Sequence, residues 1–247
     1  MVSEHRLRAD ICHAARVLYE RGHNAPADGN VSARLGTRYL LCSPTGVHKG
    51  ELTKSDIVKL RLADGESIDE KRPSSEIQMH LGIYRARADV RAIVHAHSPH
   101  AVGLTVSGQS MAEPVVPEAI VGLGGVPTVP YASPTTADVA NAVLPYALRY
   151  NAFILERHGT VTLGPDVATA LSRLEVVEHT AQITAVALST GGASPIDPAE
   201  AAHLRKMGED AGLLRPLGGA SPVALDADEE ALADALAERV LERLRRR

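Results

Sequence analysis

The 247-residue sequence has no tryptophan, one phenylalanine and six tyrosines. A core so poor in rings has to be built from Ala, Val, Leu and Ile. The length is ample to bury such a core, which excludes a disulfide-stapled miniature. Cysteine is scarce too: Cys12 and Cys42 show neither metal-ligand spacing nor a disulfide framework, so they read as small buried thiols suited to a reducing cytoplasm. No apolar run approaches the roughly 18 residues a membrane helix needs. The start, Met1 to Arg6, lacks the apolar stretch of a signal peptide, so a cytoplasmic protein with no membrane partner is expected. Positive charge is not in excess, with 26 Lys and Arg against 30 Asp and Glu, and the net charge of -4 argues against nucleic acid as a partner. What the chain has in quantity is histidine, 11 residues.

The hydrophobic pattern alternates between helical and strand periods. Ser3 can cap a helix over 4–21, where Leu7, Ile11, Ala14 and Leu18 share one stripe and Gly22 stands at the C-terminal end. Strands are expected over Val31–Leu35, Arg38–Cys42 and Ile57–Leu62, with a turn at Pro44–Thr45–Gly46. A helix opens at Pro73–Ser74–Ser75–Glu76 and runs to about Ala86, with Ser75 and Gln78 at capping-box spacing. A strand over Ala92–His97 precedes a helix started by Pro99. Residues 114–131, rich in Pro, Gly and Val, read as loops and short strands. A helix capped by Thr135 or Thr136 follows, then strands Ala152–Glu156 and Thr160–Leu163, then a long helix to about Ser189. This alternation predicts an α/β (α+β) fold with helices around one mixed sheet. The domain is expected over 1–214. Pro216, Gly218, Gly219 and Pro222 mark a linker over 215–227, and 228–247 reads as an amphipathic helix whose Leu232, Leu236, Val240 and Leu244 stripe needs a partner surface, either its own domain or a neighbouring subunit.

His95 and His97 lie two apart on one strand, so both imidazoles face the same side and make half of a metal site. A solvated strand can hold two histidines by chance, and a third ligand is required. His158 is the best candidate, since it follows an apolar strand and precedes Gly159 at a turn. Three imidazoles with an open fourth position let a zinc ion polarise a carbonyl or activate water. The other eight histidines sit singly. Three polar segments, Gly29–Asn30, Thr45–Gly46 and Ser74–Ser75, offer hydroxyl, amide and backbone donors that could cradle a phosphate, and the serines also lie at a helix N-terminus. Glu76 would bring a carboxylate beside that anion.

Taken in order, Gly29–Asn30–Val31–Ser32, Pro44–Thr45–Gly46, Pro73–Ser74–Ser75–Glu76, His95–Ala96–His97, Pro130–Tyr131 and Arg157–His158–Gly159 resemble the class II aldolase/adducin family over about residues 4–190, closest to its fuculose-phosphate-aldolase-like members. The resemblance implies a three-layer α/β/α sandwich with a mainly antiparallel central sheet. It implies His95, His97 and His158 as ligands of one Zn²⁺, with Mn²⁺ or Co²⁺ as substitutes, Glu76 as acid/base, and Asn30, Thr45, Gly46, Ser74 and Ser75 as the phosphate site. It further implies a homotetramer with active sites at subunit interfaces. The activity implied is that of an aldehyde-lyase, cleaving a phosphorylated ketose reversibly to dihydroxyacetone phosphate and an aldehyde. Tyrosines that the fuculose-phosphate pattern uses on the aldehyde half have no counterpart here, and Glu118 stands at about the place of the first, as a candidate acid or as a plain loop residue. A methylthioribulose-1-phosphate dehydratase-like or other sugar-phosphate lyase is the alternative enzyme. A non-catalytic adducin-like module is the alternative outside catalysis, disfavoured by an intact histidine triad.

Overall fold

The computed structural model describes residues 2–113, 115–133 and 137–214. The expected caps Thr135 and Thr136, the linker 215–227 and the helix 228–247 lie outside the described residues. Seven strands form one sheet: β1 (Asn30–Leu35), β2 (Tyr39–Cys42), β3 (Val58–Arg61), β4 (Ala92–Ala96), β5 (Thr128–Val129), β6 (Ala152–Leu155) and β7 (Gly159–Gly164). Their order is β3-β2-β1-β4-β7-β6-β5, antiparallel throughout except for the parallel β5–β6 pair. The helices are α1 (Glu4–Glu20), α2 (Ile77–Ala86), α3 (Pro99–Val106), α4 (Pro117–Leu123), α5 (Ala137–Ala147), α6 (Val167–Ser189) and α7 (Pro198–Asp210).

The period-two alternation of β4 sorts the layers. Ile93 faces a core shared with Leu81, Ile83 and Tyr84 of α2 and Val143 of α5, whereas Ala92, Val94 and Ala96 face Ile11 and Leu18 of α1 and Leu171 and Leu174 of α6. Helices therefore cover both faces, giving the three-layer α/β/α sandwich with a mainly antiparallel sheet. A third cluster joins Ala101 and Leu104 of α3 to Ile154 and Val177. The scarce rings are used where volume matters most: Phe153 is fully buried and Tyr84 nearly so. No helix among the described residues is long and apolar enough to cross a membrane.

α1 begins where Ser3 accepts from Arg6 N at 3.3 Å, and Gly22 adopts φ +72° just past its end. Two expectations need correction. The N-cap of α2 is Glu76, with no side-chain cap bond; Ser74 Oγ instead accepts from Glu76 N at 3.3 Å, so Ser75 and Gln78 form no capping box. Residues 117–123 are helical rather than loop, started by Pro117 at the first turn and ended by Gly124 at φ +71°. The helix α7 was not expected at all, although Asp197 accepts from Ala199 N and Glu200 N ahead of Pro198.

Candidate functional site

β4 is the central strand of the sheet, and its C-terminal end carries the site. Asn30 of β1 pairs with His95, and Thr160 of β7 pairs with Ala96. His95 shares the face of Ile93 and is wholly buried; His97 follows the last residue of the strand and is part exposed. The third imidazole arrives on the β6–β7 hairpin. There Arg157 takes φ +57°, rare for a side chain of its size, while its N–H donates to Thr105 Oγ1 at 2.9 Å. That turn delivers His158. Gly159 passes so close that a Cβ would lie 2.6 Å from Ala96 O and 2.7 Å from His95 Cε1. Only glycine allows β7 to pass against the imidazoles.

The three rings form a near-equilateral triangle, with centroids 5.2 Å (His95–His97), 4.9 Å (His95–His158) and 5.1 Å (His97–His158) apart. Glu76, at the N-terminus of α2, completes it: one ligand atom from each of the four residues lies within 4.8 Å of the others. Its Oε2 is 3.2 Å from His95 Nε2 and its Oε1 3.1 Å from His158 Nε2, while Asn30 Nδ2 donates to Oε2 at 2.9 Å. Burial raises the Glu76 carboxyl, but the imidazoles of His95 and His158 outweigh it and hold the group well below the usual carboxylate range. At His95 burial opposes charge, yet Glu76 and the Thr160 carbonyl leave the net shift upward. His97 is pushed down to about 4, by burial and then by its two neighbouring rings.

The residues fit a divalent metal. His97 Nε2 is buried with no hydrogen-bond partner, and His95 Nε2 and Glu76 Oε1 face only other members of the cluster, a costly state for polar atoms unless a cation engages them. The far sides of two rings are held. His95 Nδ1 lies 3.0 Å from Thr160 O and His97 Nδ1 3.3 Å from Asp28 Oδ2, which fixes each ring with its Nε2 lone pair turned to the cluster. Asn24 adds a bond from His97 N at 2.8 Å. Three imidazole nitrogens with a carboxylate beside them suit a borderline ion such as Zn²⁺.

Beside the cluster lies a cavity of about 190 Å³ lined by Asp28, Asn30, Thr45, Lys49, Ser74, Ser75, Glu76, His97 and His158, among others. The structure thus brings Thr45, Ser74 and Ser75 next to the histidines. Asn30 is there too, but its amide nitrogen serves Glu76. Gly46 is not part of the lining, and its φ of +67° shapes the turn that presents Thr45. Glu118 sits elsewhere, in a larger cleft of about 690 Å³ with Arg21, His23, Glu175 and His179. Among the single histidines, His80 is buried against Ser32 Oγ at 2.7 Å, and His100 lies against the Glu178 carboxylate at 2.9 Å. Sequence reasoning missed Asp28, Asn24 and Lys49. Asp28 adjoins a motif already singled out, but nothing local marks Lys49 as buried.

This architecture is shared with known proteins. The chain is 35% identical over 185 residues to the 3-oxo-tetronate 4-phosphate decarboxylase of Pectobacterium atrosepticum, covering 73% of this chain and 84% of that protein. It is 34% identical over 184 residues to the methylthioribulose-1-phosphate dehydratase of Methylococcus capsulatus, covering 69% and 89%. The crystal structure of an L-fuculose-1-phosphate aldolase from Thermus thermophilus superposes with a TM-score of 0.69 at 28% identity, covering 78% of this chain and 99% of that one. The model of the Class II Aldolase and Adducin N-terminal domain matches residues 9–185, and the chain belongs to that family.

Proposed function

We propose that the chain is a metal-dependent lyase that breaks the bond between the carboxyl group and the carbon α to the ketone of a phosphorylated substrate, and that the substrate is a β-keto acid of the 3-oxo-tetronate 4-phosphate type. The observation that carries this reading is the cluster of three imidazoles and Glu76 within 4.8 Å, opening onto a cavity walled by Thr45, Ser74 and Ser75. His95, His97 and His158 would hold the ion, Zn²⁺ by preference and Mn²⁺ or Co²⁺ as substitutes. Bound there, it supplies Lewis acidity that stabilises negative charge on a carbonyl oxygen.

The chain's own residues account for the rest. Ser74, Ser75 and Thr45 provide hydroxyl donors for the phosphate at the N-terminal end of α2, where the helix dipole favours an anion. Loss of CO2 leaves the bonding electron pair on the neighbouring carbon, shared with the ketone oxygen. The ionised Glu76 relays a proton from solvent to that carbon, so one carboxylate and one proton yield CO2 and the phosphorylated ketone. Asn30 holds Glu76 in place through its 2.9 Å bond.

The leaving group separates this reading from an aldolase. Retro-aldol cleavage has to take the proton from the hydroxyl that becomes the aldehyde, whereas an ionised carboxylate departs with no such transfer. No tyrosine lines the cavity, and Glu118 lies in another cleft. The 35% identity to a decarboxylase points the same way. The aldolase remains the second reading, favoured by the structural likeness to a fuculose-phosphate aldolase and requiring a residue from another subunit of a homotetramer. A cytoplasmic location agrees with the two buried, unpaired cysteines.

The test is to supply metal-loaded protein with 3-oxo-tetronate 4-phosphate and measure CO2 and dihydroxyacetone phosphate. Stoichiometric release of both is expected. No CO2, together with condensation of dihydroxyacetone phosphate with lactaldehyde or glycolaldehyde, would replace the decarboxylase by the aldolase.

A further inference from the structure

Lys49 is one of five lysines in the sequence and is only 3% exposed. Its Nζ donates to two carbonyls, Ala27 O at 3.1 Å and Val47 O at 3.2 Å, and among the described residues it forms no ion pair. An ammonium carries three donors, so two carbonyls leave one N–H unused and the charge without a direct counter-ion. Burying such a charge is expensive unless an anion meets it. The position is also rigid. Lys49 N donates to Pro26 O at 2.7 Å, and the next residue, Gly50, packs so tightly that a Cβ would lie 2.5 Å from Tyr19 Cδ1. Tyr19 in turn stacks edge-on against His48, with centroids 4.5 Å apart. The short 3₁₀ turn Lys49–Glu51 is thereby clamped to α1, holding Lys49 in the wall of the cavity that also contains Thr45, Ser74 and Ser75.

Those three residues are neutral, and a phosphate group carries close to two negative charges at pH 7. We propose that Lys49 is the charged member of the phosphate subsite, donating its third N–H to the phosphate and making the pocket selective for a dianion. This inference rests on the reading that the cavity takes a phosphorylated substrate. Burial also lowers the lysine pKa, partly offset by Asp28, which is consistent with a cation that gains from an anionic ligand.

The experiment uses the full chain loaded with zinc and titrated with inorganic phosphate and with phosphoglycolate, each by calorimetry, for the wild type, Lys49→Gln and Ser75→Ala. One charge-assisted hydrogen bond predicts a loss of about 10- to 100-fold in affinity for Lys49→Gln. In turnover the same variant should raise KM by that factor with kcat little changed, because the phosphate is held alike in ground and transition states. A wild type that binds neither anion would overturn the phosphate reading itself. Wild-type binding that Lys49→Gln leaves unaltered would overturn only the role of Lys49. Should Lys49→Gln fail to fold by circular dichroism, lysine labelled with ¹³C at Cε decides on the wild type. The buried lysine resonance should move on addition of phosphate, and an unmoved resonance would refute the proposal.

Discussion

Two recesses of this molecule differ in what they could do. The larger, about 690 Å³, is lined by Glu118, Glu175, Glu178, His23 and His179, so it has as many titratable groups as an active site needs. Yet its buried carboxylate is already satisfied: Glu178 accepts from His100 N at 2.9 Å and Ala101 N at 3.0 Å, capping α3 in place of Ser98, whose side chain makes no cap bond. The smaller, about 190 Å³, adjoins a buried His97 Nε2 with no hydrogen-bond partner, and the pKa values of His95 and His97 are shifted in opposite directions, the first up and the second down. Volume measures how much solvent fits. Unmet polar demand marks where a ligand is needed.

The comparison breaks most sharply under substitution. Glu76→Gln should lower turnover by about 10²–10⁴-fold, the usual range for losing a positioned acid or base, while metal content measured by atomic emission stays near that of the wild type. Retained turnover would remove Glu76 from the chemistry. Removing the support behind a ligand should cost less. Asp28→Ala and Gly159→Ala are each expected to weaken zinc binding by about 10–100-fold, the first by freeing His97 Nδ1 and the second by pushing His95 aside. Competition against a chromophoric chelator measures this, and unchanged affinity in both would show that neither residue supports a ligand. In the large cleft, His179→Ala should change turnover by no more than about twofold, as expected of a surface position. A loss comparable to that of Glu76→Gln would move the chemistry to the wrong recess.

Acid provides a finer test away from the ligands. Burial, and then the charge of His95, pushes His80 down to about 3 from its ordinary 6.5. Between those values the unfolded chain binds a proton that the folded chain refuses, so stability is full above pH 6.5 and declines as pH falls through the window. Denaturant titrations at pH 7 and pH 4.5 should show a loss on the order of 1–3 kcal/mol for the wild type, reduced in His80→Gln. Equal losses in the two proteins would show that His80 is not held neutral.

Much of this was legible in the sequence, and the failures have physical causes. α1 announces itself through its apolar stripe and the cap Ser3, signals confined to a few neighbouring residues. The shared face of His95 and His97 follows from the strand period alone. α4 was hidden because Pro, Gly and Val dominate its surroundings, and its stability comes from burying Ala119, Ile120 and Leu123 rather than from propensity. The serines before α2 read as a cap by spacing. The chain instead places the N-cap at Glu76, and that residue's carboxylate goes to the imidazoles. Lys49 could not be found because its burial depends on Pro26 and Tyr19, more than 20 residues away in the chain.

The central claim is that His95, His97, His158 and Glu76 surround one divalent ion. Calorimetric titration of chelator-stripped protein with Zn²⁺, run beside His95→Ala, tests it most directly. The account predicts a single ion per chain for the wild type, with protons released on binding, and loss of that site in the variant. Absence of binding in the wild type, or an undiminished site in His95→Ala, would contradict it.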